Sequence, residues 1–216
     1  MRALRDVLKY DGLYADISRV TTLPNNHDTD RFMSLPNATL EGAMLHTAFM
    51  LSTRGIPQLY AGEEIAMKGG HDPDNRQDFA GGFAGDKIDK FTKAGRTADE
   101  QKMFEWTKEW IKLRQYNSVI ERGRTIDLFY DNDVYIFERR YDSSGSNVVF
   151  PLVVFAFNSS KNKREISLKI NTSDFEILIE GGNKVSIADN KASLILEPQS
   201  VSAYEYHPND NIYTLE

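Results

Sequence analysis

Two short stretches of the 216-residue chain hold the side chains best suited to chemistry. Residues 24–31 read PNNHDTDR and residues 69–79 read GGHDPDNRQDF. The first sets two asparagines, the chain's first histidine and two aspartates just after the run Val20-Thr21-Thr22. The second gathers Asp72, Asp74, Asp78 and Arg76 in one short loop. Carboxylates and imidazole can hold or move charge, and a guanidinium beside amides makes a donor set for a polar ligand. On residue types alone, the first stretch reads more readily as a turn whose Asn and Asp side chains bond their own backbone, and a surface Asp-Pro turn is the bland alternative for the second. Arg31 is accounted for by a salt bridge inside its loop.

Other chemistries are excluded more firmly. Without cysteine there is no thiolate nucleophile, thiolate metal site or disulfide framework. The alternation of Asp72, Asp74 and Asp78 suggests calcium, but an EF-hand requires glycine at its sixth position and a bidentate acid at its twelfth. Counted from Asp72 these are Gln77 and Phe83, so no metal site is expected, and no cofactor. A net charge of −6 with no basic stripe argues against nucleic acid. No run approaches the roughly 20 apolar residues of a membrane span, and MRALRDVLKYDG carries charges throughout. A chain with no membrane partner is expected, and its compartment stays open. His46 reads as a packed helix residue, His71 as either a cleft-lining or a solvated loop residue, and His207 as chemically idle.

The elements that must position these residues follow from periodicity. Leu4, Val7 and Leu8 suggest the tail of an amphipathic helix stopping at Gly12, and a short strand is expected over residues 18–23. Thr39 or Asn37 can cap a helix carrying Leu40, Met44, Ala48 and Leu51 on one face, with Gly55 as its stop. GIPQLYAG reads as a brief buried strand, and residues 63–95 as a long loop of the functional kind. Thr97 and Glu100 form a capping box for a third helix. At about 100° per residue, its apolar face, including Trp106 and Trp110, covers about half the circumference, so both tryptophans are expected in the core. Beyond residue 120 the pattern turns to period two: DVYIFERR, FPLVVFAFN, EISLKI, FEILIE, KVSIAD, ASLILE and VSAYEY. Short strands at such spacing argue for an antiparallel sandwich, with Tyr130, Tyr135 and Tyr141 as strand residues.

Helix, strand, helix, strand, loop, helix is the order of parallel α/β units. Two strands cannot complete a parallel sheet, which is covered on both faces. Further strands, from an N-terminal portion or a partner chain covering the open sheet edge, are therefore expected.

NNHDTDRF at 25–32, GIPQLYAGEEI at 55–65 and GGHDPDNRQDF at 69–79 together resemble the α-amylase family of retaining glycosidases, in particular its neopullulanase and cyclomaltodextrinase branch. The motifs come in the family's order and spacing. The resemblance implies the C-terminal part of a (β/α)8 TIM-type barrel, its last two strand–helix units, over residues 1–120, and the C-terminal β-sandwich over 121–216. It implies an α-glucan or maltooligosaccharide substrate with α-1,4 bonds. By resemblance, Asn26-His27-Asp28 ends the seventh barrel strand. Asp28 would stabilise the cationic transition state, with His27 on the same sugar and Asn26 beside it, while Asp72 and Arg76 would bind the next sugar. Leu23, Pro24 and Asn25 depart from the aromatic and acidic residues usual before this motif.

Retaining hydrolysis needs two carboxyl groups about 5 Å apart. The family carries them in motifs that nothing ahead of Asn25 resembles. The expectation is therefore the C-terminal portion of an α-glucan hydrolase, inactive by itself. The alternative is a non-catalytic α-glucan-binding or assembly module.

Overall fold

The computed structural model describes residues 1–141, 152–170 and 175–206. In chain order come α1 (Arg2–Leu8), β1 (Thr21–Thr22), α2 (Leu40–Ser52), β2 (Ile56–Pro57), α3 (Ala98–Tyr116) and α4 (Ser118–Arg122). The strands β3 (Arg124–Tyr130), β4 (Val134–Arg140), β5 (Leu152–Asn158), β6 (Arg164–Lys169), β7 (Phe175–Ile179), β8 (Lys184–Ala188), β9 (Lys191–Leu196) and β10 (Ser200–Tyr206) follow. Backbone contacts divide these into two compact units: residues 19–116, and residues 1–18 together with 117–216.

In the unit of residues 19–116, β1 and β2 pair in parallel, Thr21 opposite Ile56 and Thr22 opposite Pro57. Both strands are shorter than the sequence pattern suggests; residues 18–19, expected in the first, lie in a 3-10 turn, Ile17–Arg19. Thr39 caps α2 by accepting from the Gly42 amide at 3.0 Å. Burial on α2 extends past the expected face to Ala43, Leu45, Thr47, Met50 and Ser52. The capping box on α3 is formed: the Thr97 amide donates to Glu100 Oε2 at 2.9 Å, and the Glu100 amide to Thr97 Oγ1 at 3.3 Å. Trp110 is fully buried, and Trp106 Nε1 donates to the Met44 carbonyl at 2.9 Å. Arg114 donates to the carbonyls of Leu51, Thr53 and Gly55, satisfying acceptors left open at the end of α2.

The second unit is antiparallel. One sheet runs β3-β4-β5-β10-β7 and another β6-β9-β8. Val134, Ile136, Leu152, Val154 and Ala156 of the first share an apolar core with Ile166, Ala192, Leu194 and Leu196 of the second. Every residue of β5 is buried, so its run LVVFAF is continuously apolar up to Asn158, where a half-exposed strand would alternate. Phe150 and Pro151, read as the start of this strand, lie outside the described residues, as does His207.

Two further elements depart from the sequence reading. Of strand β3 only Tyr130 was read as a strand residue, because a bulge between Asp127 and Phe129 interrupts the alternation. Helix α1 exists, but it buries none of its residues: Leu4 and Val7 are exposed. Polar contacts tie it to the second unit instead, Arg5 donating to Asp127 Oδ2 at 2.6 Å and lying over the Tyr130 ring at 4.2 Å. By backbone contacts residues 1–18 group with residues 117–216.

Candidate active site

Because β1 and β2 are parallel, the chain leaves both on the same side of their sheet, and the loops after them can meet. Gly55 permits the pairing. Its φ of +87° is left-handed, and a Cβ there would come 2.3 Å from the Val20 carbonyl oxygen, which accepts the Ile56 amide at 3.0 Å.

Beyond β1 the chain makes a tight turn. Asn26 Oδ1 accepts the Asp28 amide at 2.8 Å, and the Asn26 carbonyl accepts the Thr29 amide at 3.3 Å. The side-chain turn read from residue types is therefore present, and it presents His27 and Asp28 outward, both exposed. His27 Nε2 lies 3.3 Å from Asp28 Oδ1.

The loop at 69–78 meets this turn. Arg76 Nε pairs with Asp72 Oδ1 at 2.6 Å while its Nη2 reaches Asp28 Oδ1 at 3.5 Å. Asn26, His27, Asp28, Asp72 and Arg76, separated by up to 50 positions, are thereby brought into one cluster. These pairs are exposed, and exposed ion pairs add little stability; their importance is geometric. His71 sits at the edge, 3.8 Å from Asp30 and almost wholly exposed. A separate cavity of about 490 Å³, lined by Met33, Ile65, Lys68, Asp78 and Glu100 among others, includes none of the five.

A buried layer beneath the cluster holds it together. Asn75 is 1 % exposed, and its side-chain amide donates to the carbonyls of His27 at 2.8 Å and Thr29 at 2.9 Å. Its backbone carbonyl accepts from Arg31 Nε at 3.0 Å and Tyr60 Oη at 3.2 Å. Arg31 is 2 % exposed, donates to the Ala61 carbonyl at 2.8 Å, lies over the Tyr60 ring at 4.3 Å and sits 3.7 Å from Glu63 Oε1. Asn25 completes the set, donating to Glu63 Oε1 at 2.9 Å. Burial pushes the Glu63 carboxyl up, against the opposing pull of Asn25 and Arg31. The salt bridge expected for Arg31 inside its own loop is replaced by one to Glu63 in the loop after β2; the roles of Asn25, Tyr60, Glu63 and Asn75 were not legible in the sequence, although all four fall within the three quoted motifs. Among the described residues no group of three or more acids or histidines is arranged to hold a metal, and no helix is long and apolar enough to cross a membrane.

The chain is similar to known proteins over nearly all its length. It is 29% identical to a cyclomaltodextrin glucanotransferase of Bacillus licheniformis over 210 residues, 94% of this chain and 26% of that relative. It thus spans about a quarter of such curated relatives. Among solved structures it resembles an Anoxybacillus α-amylase, with a TM-score of 0.75 and 25% identity over 97% of this chain and 43% of that one. It also resembles CldA, a cyclomaltodextrin glucanotransferase with a three-domain ABC distribution, with a TM-score of 0.73 and 26% identity over 95% and 40% of the two chains. A family model for the alpha amylase catalytic domain matches residues 9–126. As that match covers more than half of its residues, the chain belongs to the α-amylase family of glycoside hydrolases.

Proposed function

We propose that this chain is the C-terminal portion of a retaining α-glucan hydrolase or transglycosylase acting on α-1,4-glucosidic bonds. Residues 1–120 would correspond to the last two strand–helix units of a (β/α)8 barrel and residues 121–216 to an antiparallel β-sandwich. The observation that carries the reading is Arg76 bridging Asp28 and Asp72 in the loops that follow the parallel strands β1 and β2. Asp28 would stabilise the oxocarbenium-like transition state, gaining strength as positive charge develops on the ring. His27 and Asn26 would hold the same sugar. Asp72 and Arg76 would grip the next one, a carboxylate and a planar donor fork suiting neighbouring hydroxyls.

Within the family, the motifs resemble the neopullulanase and cyclomaltodextrinase branch. The relatives named cyclomaltodextrin glucanotransferase support an α-glucan substrate. Neither a nucleophile nor an acid/base motif is recognisable in these 216 residues, so the pair required for retention would come from outside them. The polypeptide alone is accordingly expected to bind but not cleave. Incubation with maltooligosaccharides, starch, pullulan or cyclodextrin should release no reducing sugar; turnover abolished by Asp28→Asn would overturn this.

A non-catalytic α-glucan-binding or assembly role is the second reading. It is favoured by β1 and β2 pairing only with each other among the described residues, which leaves edges for another chain to extend. Sedimentation that finds only monomer at high concentration would count against assembly.

A further inference from the structure

We infer that Asn75 is a positioning residue that sets the distance between Asp28 and Arg76. The inference rests on the α-glucan reading of that pair.

The two carbonyls that Asn75 holds are those of His27 and Thr29, the residues on either side of Asp28. One amide group therefore pins the backbone both before and after the carboxylate. Asn75 is also the residue immediately preceding Arg76. The segment that presents the guanidinium is thus tied directly to the one that presents the carboxylate.

The far side of Asn75 is restrained as well. Its carbonyl is held by Arg31 and Tyr60, and a Cβ on Gly69 would come 2.8 Å from its Cα. The Arg31 amide donates to the Gly69 carbonyl at 2.9 Å, which closes the circuit between the two loops. Asn75 cannot shift without moving residues of both.

The chemistry also explains why an amide stands here. Both partners are acceptors, so the side chain must supply two donors from one atom, which an uncharged carboxamide does. An aspartate of nearly identical shape would set oxygen against two carbonyl oxygens in a buried place. Arg76 and Asp28, by contrast, are exposed, and long exposed side chains find a fixed geometry only when their backbones are held.

The test uses the full 216-residue chain with Asn75→Asp and Asn75→Ala, and has two arms. Without ligand, amide hydrogen exchange should lose protection at Asp28 and Thr29 while the amides of α3 keep theirs; unchanged protection at Asp28 and Thr29, or loss throughout the unit, overturns the inference. With maltohexaose, calorimetry should show affinity weakened by about fivefold or more in Asn75→Ala. Combining it with Arg76→Ala should add little further loss, because each removes the same Arg76–Asp28 arrangement. Additive losses, or wild-type affinity in Asn75→Ala, overturn the inference. If the wild-type chain binds no α-glucan, the functional reading fails, and the exchange arm still decides whether Asn75 holds the two loops.

Discussion

Asn25 donates its side-chain amide to the buried carboxylate of Glu63 at 2.9 Å, joining the loop after β1 to the one after β2 beneath the exposed cluster. Arg31 approaches the same carboxylate oxygen at 3.7 Å. A buried acid held by an amide and a cation is strongly specified in position, and it remains costly to ionise.

The first prediction concerns that cost. An acid whose folded pKa is raised binds its proton more tightly when folded, so its contribution to stability falls as pH rises from its ordinary value through the raised one. Burial raises Glu63. The difference in unfolding free energy between wild type and Glu63→Gln should therefore shrink as pH rises from 4 to 8, measured by urea titration. A difference independent of pH, or one growing with pH, would show that the carboxylate is ionised without penalty.

His46 predicts a pH dependence of opposite sign. Burial within α2, against the Phe32 ring at 4.9 Å, holds its pKa down to about 4. The unfolded chain takes up the proton near 6.5 and the folded chain does not, so stability is lost as pH falls through this window. Between pH 7 and pH 5 wild type should lose about 2 kcal/mol that His46→Gln does not lose. Equal losses in both proteins would refute the assignment.

Gly55 tests the pairing of β1 and β2. Its left-handed φ, and the 2.3 Å approach of a Cβ to the Val20 carbonyl, predict that Gly55→Ala destabilises the chain by about 2 kcal/mol or more. Chemical denaturation followed by tryptophan fluorescence reads the unit directly, since both tryptophans lie on α3. Wild-type stability would mean that the strands do not pair as described.

The exposed pair Arg76 and Asp28 should behave differently from the buried layer. Arg76→Lys retains charge but loses the planar fork that reaches both Asp28 and Asp72. Maltooligosaccharide affinity is expected to fall about tenfold with the unfolding midpoint nearly unchanged. A stability loss matching that of Arg31→Lys would instead place Arg76 in the structural layer.

Much of this was determined by local sequence. The capping box of Thr97 and Glu100, the Thr39 cap and the short strands β4 and β6–β10 each depend on neighbours a few residues away, whereas α2 ends at Ser52, before the glycine stop expected at Gly55. Their physical cause can therefore be read along the chain. The three motifs likewise carried the family resemblance and named Asn26, His27, Asp28, Asp72 and Arg76 as candidates.

What only the tertiary structure decided is which groups meet. Asn75 and His27 are 48 positions apart, Asn25 and Glu63 are 38 apart, and no periodicity links them. Asn75 looks like an ordinary loop asparagine until two distant loops are closed around it, and Leu4 and Val7 look like a core face until α1 is found held by Arg5. Local pattern specifies an element, but the partners of a buried donor or an apolar face are chosen by packing, which joins residues the sequence keeps apart.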